Sequence, residues 1–445
     1  MAAITPVDRP VQPAERWELL TRGTLFAVLP EEEQRLLRTL HERYRLTVQE
    51  MRQLCEAARD LQMWGEPRLD EWWRNAERRM AAPAGASPVN GHQGTVPVRA
   101  QKQRLIKKLR EHLGGLRGTA TQYGAAPSPV PDRPALHVVS ETSGDAVFGD
   151  CPVRSERTLC CNLKTIDAVK NCAFGCSYCT IQTFYGDRVA IDADLGAKLR
   201  ALELEPGRFY HIGSGQSSDS LVWGNRGGVL DEMCSFAREH PDVLLEFKTK
   251  SANVTHFLDP AGAIPANVVC SWSLNTPPVI EHEEHFTAPL EQRLRAARRV
   301  ADRGIKVAFH FHPMVHYAGW EHDYPELAQR ILAEFAPDEV SFVSFGSVTF
   351  IKPVIREIRR RGEPTRILQT DLVKDPHGKL TYPDDLKVAM FSTMYRVLAP
   401  WRERVFMYLC MEKPAIWNRA FGWRFGSNEE FEQAFAAGTL YRKSA

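Results

Sequence analysis

In the run KNCAFGCSYCTIQ, Cys172, Cys176 and Cys179 stand at CxxxCxxC spacing. Three thiolates on one loop can hold three irons of a [4Fe–4S] cluster and leave the fourth iron without a protein ligand. That open iron can chelate the amino and carboxylate groups of S-adenosylmethionine (SAM). An electron from the cluster then cleaves the sulfonium bond, giving methionine and a 5′-deoxyadenosyl radical. Two other readings compete. Zinc normally takes four ligands in CxxC pairs, and an electron-transfer cluster needs a fourth cysteine, which Cys160 or Cys161 could supply. The spacing, the position after a strand candidate and the aromatic Tyr178 between the last two cysteines favour the open cluster.

The elements that must hold this loop follow from the apolar pattern. From residue 136 to 350 short apolar runs alternate with helical stretches: TIDAV (165–169), RFYHIG (208–213), VLLEFKT (243–249), NVVCSWSLN (267–275), IKVAFHFH (305–312) and EVSFVSFG (339–346). Strand–helix alternation of this kind predicts an α/β fold with a parallel sheet, here a partial (β/α)6 barrel with its functional residues at the C-terminal strand ends. Before it, residues 1–80 read as a helical extension with a proline-rich lead over 1–15. Residues 81–135 read as a linker carrying a short basic helix, QKQRLIKKLREHLGGL. Residues 351–445 read as a helical C-terminal segment that includes a second basic helix, IKPVIREIRRRG.

Bulk properties narrow the setting. The 445-residue chain is 43% hydrophobic and 25% charged with a formal net charge of +2, so overall charge does not argue for a nucleic-acid partner. No apolar run approaches the ~20 residues of a membrane span. The N-terminus lacks a secretory pattern, so a cytoplasmic chain without a membrane partner is expected. Ten cysteines in that setting point to metal or redox chemistry rather than a disulfide framework.

Several runs carry a more specific likeness. TLCCNLKTIDAVKNCAFGCSYCTIQTFYG, HIGSGQSSDSLVW, EFKTKSANV, VVCSWSLNTP, TAPLEQRLRAA and HFHPMVHYAGWEHDY, with FMYLCMEKPAIW near the C-terminus, resemble the spore photoproduct lyase family of radical SAM enzymes. The CCNLKT and CMEK runs are similar to a lyase-like branch of that family. The resemblance covers about residues 138–345 and implies a radical SAM barrel, a [4Fe–4S] cluster and SAM as cofactors, and DNA as substrate, with a reducing partner such as flavodoxin or ferredoxin. It implies metal ligation by Cys172, Cys176 and Cys179, and SAM contacts from Gly213, Ser214, Gly215, Ser218, Asp219, Lys250, Ser273 and Asn275. Tyr178 matches a tyrosine near the lyases' radical path, so the resemblance gives it a catalytic role.

Two positions depart from the pattern. Where the lyases carry a hydrogen-donating cysteine, this chain has Gln216 (CTSD against QSSD). Where they carry a second tyrosine after the last cluster cysteine, it has Thr180. Glutamine cannot quench a carbon radical as a thiol can, and Cys270 and Cys410 are the alternative donors. Hydrogen abstraction from a pyrimidine in DNA therefore stands beside two further readings: a radical SAM enzyme acting on a peptide or metabolite, and a non-catalytic cluster protein that binds DNA. Basic helices at 102–110 and 352–361 are candidates for phosphate contact, with a solvated face as the default for the first. His310, His312, His316 and His322 with Glu321 suggest strand-end substrate or SAM contacts before a second metal site.

Overall fold

The computed structural model describes residues 13–81, 97–124, 135–151, 157–184, 186–375 and 377–442. Most of the proline-rich lead and of the 81–97 linker lies outside the described residues. The chain divides into two compact units, one of residues 1–119 with 355–370 and one of 120–354 with 371–445.

The first unit is helical. Val48–Met63 begins at a capping box, in which the Thr47 hydroxyl accepts from the Glu50 amide while the Glu50 carboxylate accepts from the Thr47 amide. The boundaries differ from those the sequence suggests. The basic helix, Val98–Gly118, buries Leu105, Ile106 and Leu109 within this unit rather than sitting in a linker. Its Lys102 is itself buried and reaches Glu50 at 2.9 Å. Residues 355–370 also belong here, because Arg359 forks onto the buried Asp60 carboxylate at 2.7 and 2.8 Å. Arg360 and Arg361 pair with Glu357 and Glu363, so these three arginines of the expected phosphate-binding helix are neutralised within the chain.

The second unit is built on a curled eight-stranded sheet. Its strands are β1 (Phe148–Asp150), β2 (Lys164–Ile166), β3 (Tyr210–Ser214), β4 (Val243–Thr249), β5 (Val268–Ser273), β6 (Lys306–Met314), β7 (Val340–Ser347) and β8 (Phe406–Leu409). They lie in the sheet in chain order. β1 is antiparallel to β2, and every other neighbouring pair is parallel. All six expected strands are present as β2 to β7. The short β1 and β8 were not legible as barrel strands. Amphipathic helices such as Val229–Glu239 and Leu290–Ala301 bury one face between successive strands.

The lumen is polar, unlike the Val/Ile/Leu layers that usually fill such barrels. Glu246 of β4 accepts hydrogen bonds from His211 Nε2 of β3 at 2.8 Å, from His310 Nε2 of β6 and from Ser271 of β5, all buried. Burial holds His310 down at about 4. Its folded value thus lies below the ordinary 6.5. The stability it contributes is present above pH 6.5 and lost as pH falls toward 4, where the unfolded chain takes up the proton first. The expected loss is about 3 kcal/mol across that window. Urea unfolding at pH 7 and 4.5 checks it, and His310→Gln flattens this part of the profile.

Candidate functional site

The CxxxCxxC loop is clamped from three sides. Asn171, at φ 75°, donates to the carbonyls of Gly186 (2.8 Å) and Arg188 (2.9 Å) and accepts from the Cys172 amide at 2.8 Å. Its own carbonyl accepts from the Ser218 hydroxyl at 2.7 Å. Gly175–Cys176 pairs antiparallel with Glu284–His285, which sets Cys176 opposite Glu284. Gln182 donates to the carbonyls of Ser177 (2.9 Å) and Cys179 (2.7 Å), closing the far end.

Beneath this strap lies a buried charge set. The Tyr178 hydroxyl donates to Glu284, which also accepts from Asn275 Nδ2 at 3.0 Å and pairs with Arg293 at 2.6 Å. Burial works against the Glu284 carboxylate, but Arg293 and Lys250 outweigh it and hold its pKa below the usual range. Lys250 Nζ sits 5.7 Å from the Tyr178 ring centre.

These parts face a chamber of about 260 Å³ at the C-terminal strand ends. Cys172, Cys176, Tyr178, Cys179, Gly215, Ser218, Asp219, Lys250 and Ser273 all line it, so most of the sequence-derived set converges. Gly213 and Ser214 do not line it. They stand earlier on β3 and border a smaller chamber. Asn275 is also absent, because its amide and carbonyl are taken by Glu284, Pro313 and Tyr324. Ser218 and Asp219 are occupied too. Ser218 accepts from Trp223, and Asp219 accepts from the amides of Leu221, Val222 and Lys250 and from the Thr249 hydroxyl. Both brace the loops around the chamber.

Gly215 is needed for its backbone. Its φ is +84°, and a Cβ there would lie 2.6 Å from Ser220 Oγ and 2.9 Å from the Ser220 amide nitrogen. Gly215→Ala is expected to cost about 1–3 kcal/mol, and urea unfolding measures the loss.

His312, expected as a strand-end contact, also lines the chamber, and the sequence reading missed Lys248, Ser347, Thr349, Lys379 and Met411, which line it too. Alternation along β4 carries a signal for one of them: Glu246 and Lys248 share a face, because side chains two apart on a strand point the same way. Gln216 and Thr180 both line the chamber. Cys270 is fully buried away from it, whereas Cys410 borders the smaller one. The histidine segment divides as well. His310 and His312 enter the barrel, while the 79%-exposed His322 stands with Asp323 and Glu326 on a helix surface.

Among the described residues, the His322 set is the one group of three or more His, Cys, Asp or Glu ligand atoms all within 4.8 Å of one another. The sulfurs of Cys172, Cys176 and Cys179 are therefore spread wider than the shell of one zinc ion, whose Zn–S bonds of ~2.3 Å bring sulfurs to within about 4 Å. Burial pushes the Cys176 thiol up to about 12, against the pull of Lys250. The set fits a multi-iron cluster better than a single ion.

Residues 164–380 match the spore photoproduct lyase family model. That stretch is similar to spore photoproduct lyases. The spore photoproduct lyase of Geobacillus sp. is 27% identical over 249 residues, 53% of this chain and 72% of the relative. That of Bacillus subtilis is 27% identical over 209 residues, 44% of this chain and 59% of the relative. A solved spore photoproduct lyase complexed with dinucleoside spore photoproduct matches with a TM-score of 0.52 and 23% identity, covering 68% of this chain and 93% of that one. A mutant of the lyase with bound AdoMet and the same dinucleoside gives the same score. The matched stretch takes in β2 to β7 and leaves β1 and β8 outside it. No described helix is long and apolar enough to cross a membrane.

Proposed function

We propose that the protein is a radical SAM enzyme that abstracts hydrogen from a damaged or modified pyrimidine in DNA. The observation that carries this reading is the three-thiol strap facing one chamber at the strand ends of the lyase-like stretch. When bound, a [4Fe–4S] cluster on Cys172, Cys176 and Cys179 and SAM beside it would supply reductive sulfonium cleavage and a carbon-centred radical.

The chain's own residues do the positioning. Asn171, Glu284 and Gln182 fix the strap, and Asp219 ties the loop after β3 to the end of β4. Lys250 brings a positive charge to the chamber for the SAM carboxylate. Burial opposes that charge, yet the Cys176 and Glu284 groups outweigh it and raise the lysine's pKa. Lys379 borders the same chamber and offers a phosphate contact, the usual means by which a protein fixes its register on DNA. Tyr178 is held by Glu284 beside the strap, in reach of a radical path. A cytoplasmic location and a flavodoxin or ferredoxin as reductant accompany this proposal.

A second reading is a radical SAM enzyme acting on a peptide or metabolite. Gln216 and Thr180 favour it, because both line the chamber where the lyases' relay residues would stand. Reaction with a thymine-deuterated, ultraviolet-damaged oligonucleotide separates the two. Deuterium in 5′-deoxyadenosine is the expected result. Uncoupled 5′-deoxyadenosine without label, from every damaged oligonucleotide tried, sinks the DNA reading and favours the second.

A further inference from the structure

A smaller chamber of about 70 Å³ lies within the barrel, lined by Cys151, Cys160, Cys161 and Cys410 together with Lys248. These four cysteines are not those of the strap. They come from opposite ends of the sheet: Cys151 follows β1, Cys160 and Cys161 precede β2, and Cys410 follows β8. The curl brings these ends together, and backbone bonds hold them there. The Leu159 amide donates to the Glu412 carbonyl at 3.1 Å, the Cys151 amide to Leu163 at 3.1 Å and the Cys410 amide to Phe345 at 2.7 Å. The Cys160 amide donates to the Asn428 side chain at 2.9 Å.

Four sulfurs from three separate segments around one chamber are not ordinary packing of small hydrophobic side chains, which is the default for a buried cysteine. We propose that Cys151, Cys160, Cys161 and Cys410 hold a second iron–sulfur cluster that bridges the two ends of the barrel sheet.

Size, spacing and charge support a cluster over a single zinc ion. A water needs roughly 10–15 Å³ on this measure of volume, so the chamber takes a group of several heavy atoms. As with the strap, no three of these sulfurs lie within 4.8 Å of one another, wider than a zinc shell. Cluster assembly takes these cysteines as thiolates. The four thiolates then outweigh the charge of the iron–sulfur core, and a buried anion needs a partner. Lys248, which lines the same chamber, supplies one.

The test leaves the strap out of the count. A full-length Cys172→Ala/Cys176→Ala/Cys179→Ala variant is purified anaerobically and assayed for iron, acid-labile sulfide and zinc. The expected result is iron and sulfide in equal amounts at about two to four per chain, the content of a four-cysteine cluster. Adding Cys160→Ser and Cys161→Ser should remove that content. The strap-intact Cys160→Ser/Cys161→Ser protein serves as the folding control, and it should keep the strap's iron while losing the rest. Zinc in place of iron, or a strap-less variant free of both metals, overturns the proposal. Neither outcome depends on whether the strap's cluster cleaves SAM, so this inference and the proposed function fail separately.

Discussion

Cys176→Ala is expected to bring 5′-deoxyadenosine formation below detection, a loss of at least about 10³-fold against reconstituted, reduced protein with SAM. The reason is coordination rather than stability. Cys176 is the middle cysteine of the strap and the residue that pairs with Glu284, so removing its sulfur would leave two thiols for the proposed cluster, which needs three. The backbone bonds of that pairing do not involve the side chain, and the fold should survive. Iron content, the visible absorption of the cluster and 5′-deoxyadenosine are read on the same sample. Full cluster loading with undiminished product would overturn the assignment of the strap. Product that vanishes together with the iron establishes it, and turns the question to substrate.

Arg293→Met should destabilise the protein by about 3–5 kcal/mol, the usual cost of stripping one partner from a buried ion pair. Arg293 and Glu284 are both fully buried, 2.6 Å apart. The guanidinium also donates to the carbonyls of Ala288 (2.7 Å) and Ser273 (2.9 Å) and to the Thr287 hydroxyl (2.6 Å). It therefore joins the end of β5 to the segment that carries Glu284, and Glu284 backs the strap. The urea midpoint measures the loss. Arg293→Lys should recover little, because an ammonium cannot reproduce the planar fork. Adding Glu284→Gln to Arg293→Met should restore part of the stability by removing the stranded charge, a coupling that a double-mutant cycle reads directly. An Arg293→Met midpoint within about 0.5 kcal/mol of the parent would show that the pair does not brace the strap.

The strap and the barrel were legible in the sequence for different reasons. Cysteine spacing is local, so Cys172, Cys176 and Cys179 could be read without knowing the fold. The strands β3 to β7 each carry an apolar run long enough to see, and β2, no longer than β1, shows only as the TIDAV run just before the cysteines. β1 and β8 span only Phe148–Asp150 and Phe406–Leu409, too short for a period to show. The supports of the site were hidden because they are long-range. Arg293 lies in a helix whose sequence reads as surface, and nothing local tells that it enters the core. The family resemblance gives Ser218, Asp219 and Asn275 as SAM contacts, and it carries no sign of what else they bond. Here their hydrogen bonds go to neighbouring loops, which only the folded chain reveals. The pairing of Lys102 with Glu50 and of Arg359 with Asp60 was hidden in the same way, since each partner lies far off in the chain, while Arg104, Lys107 and Lys108 form the exposed face expected of the first basic helix.

The strictly sequential strand order bears on how the chain is made. Each strand finds its neighbour as soon as the next segment leaves the ribosome, so the sheet can assemble in step with synthesis from β2 to β7. The step to β8 is the exception. It waits for ~60 further residues, several seconds at about 5–20 residues per second. Throughout that interval β7, buried along its whole length in the finished protein, presents a bare apolar edge of the kind that pairs with other chains. A nascent-chain chaperone that shields this edge should therefore raise the soluble yield more than one acting after release.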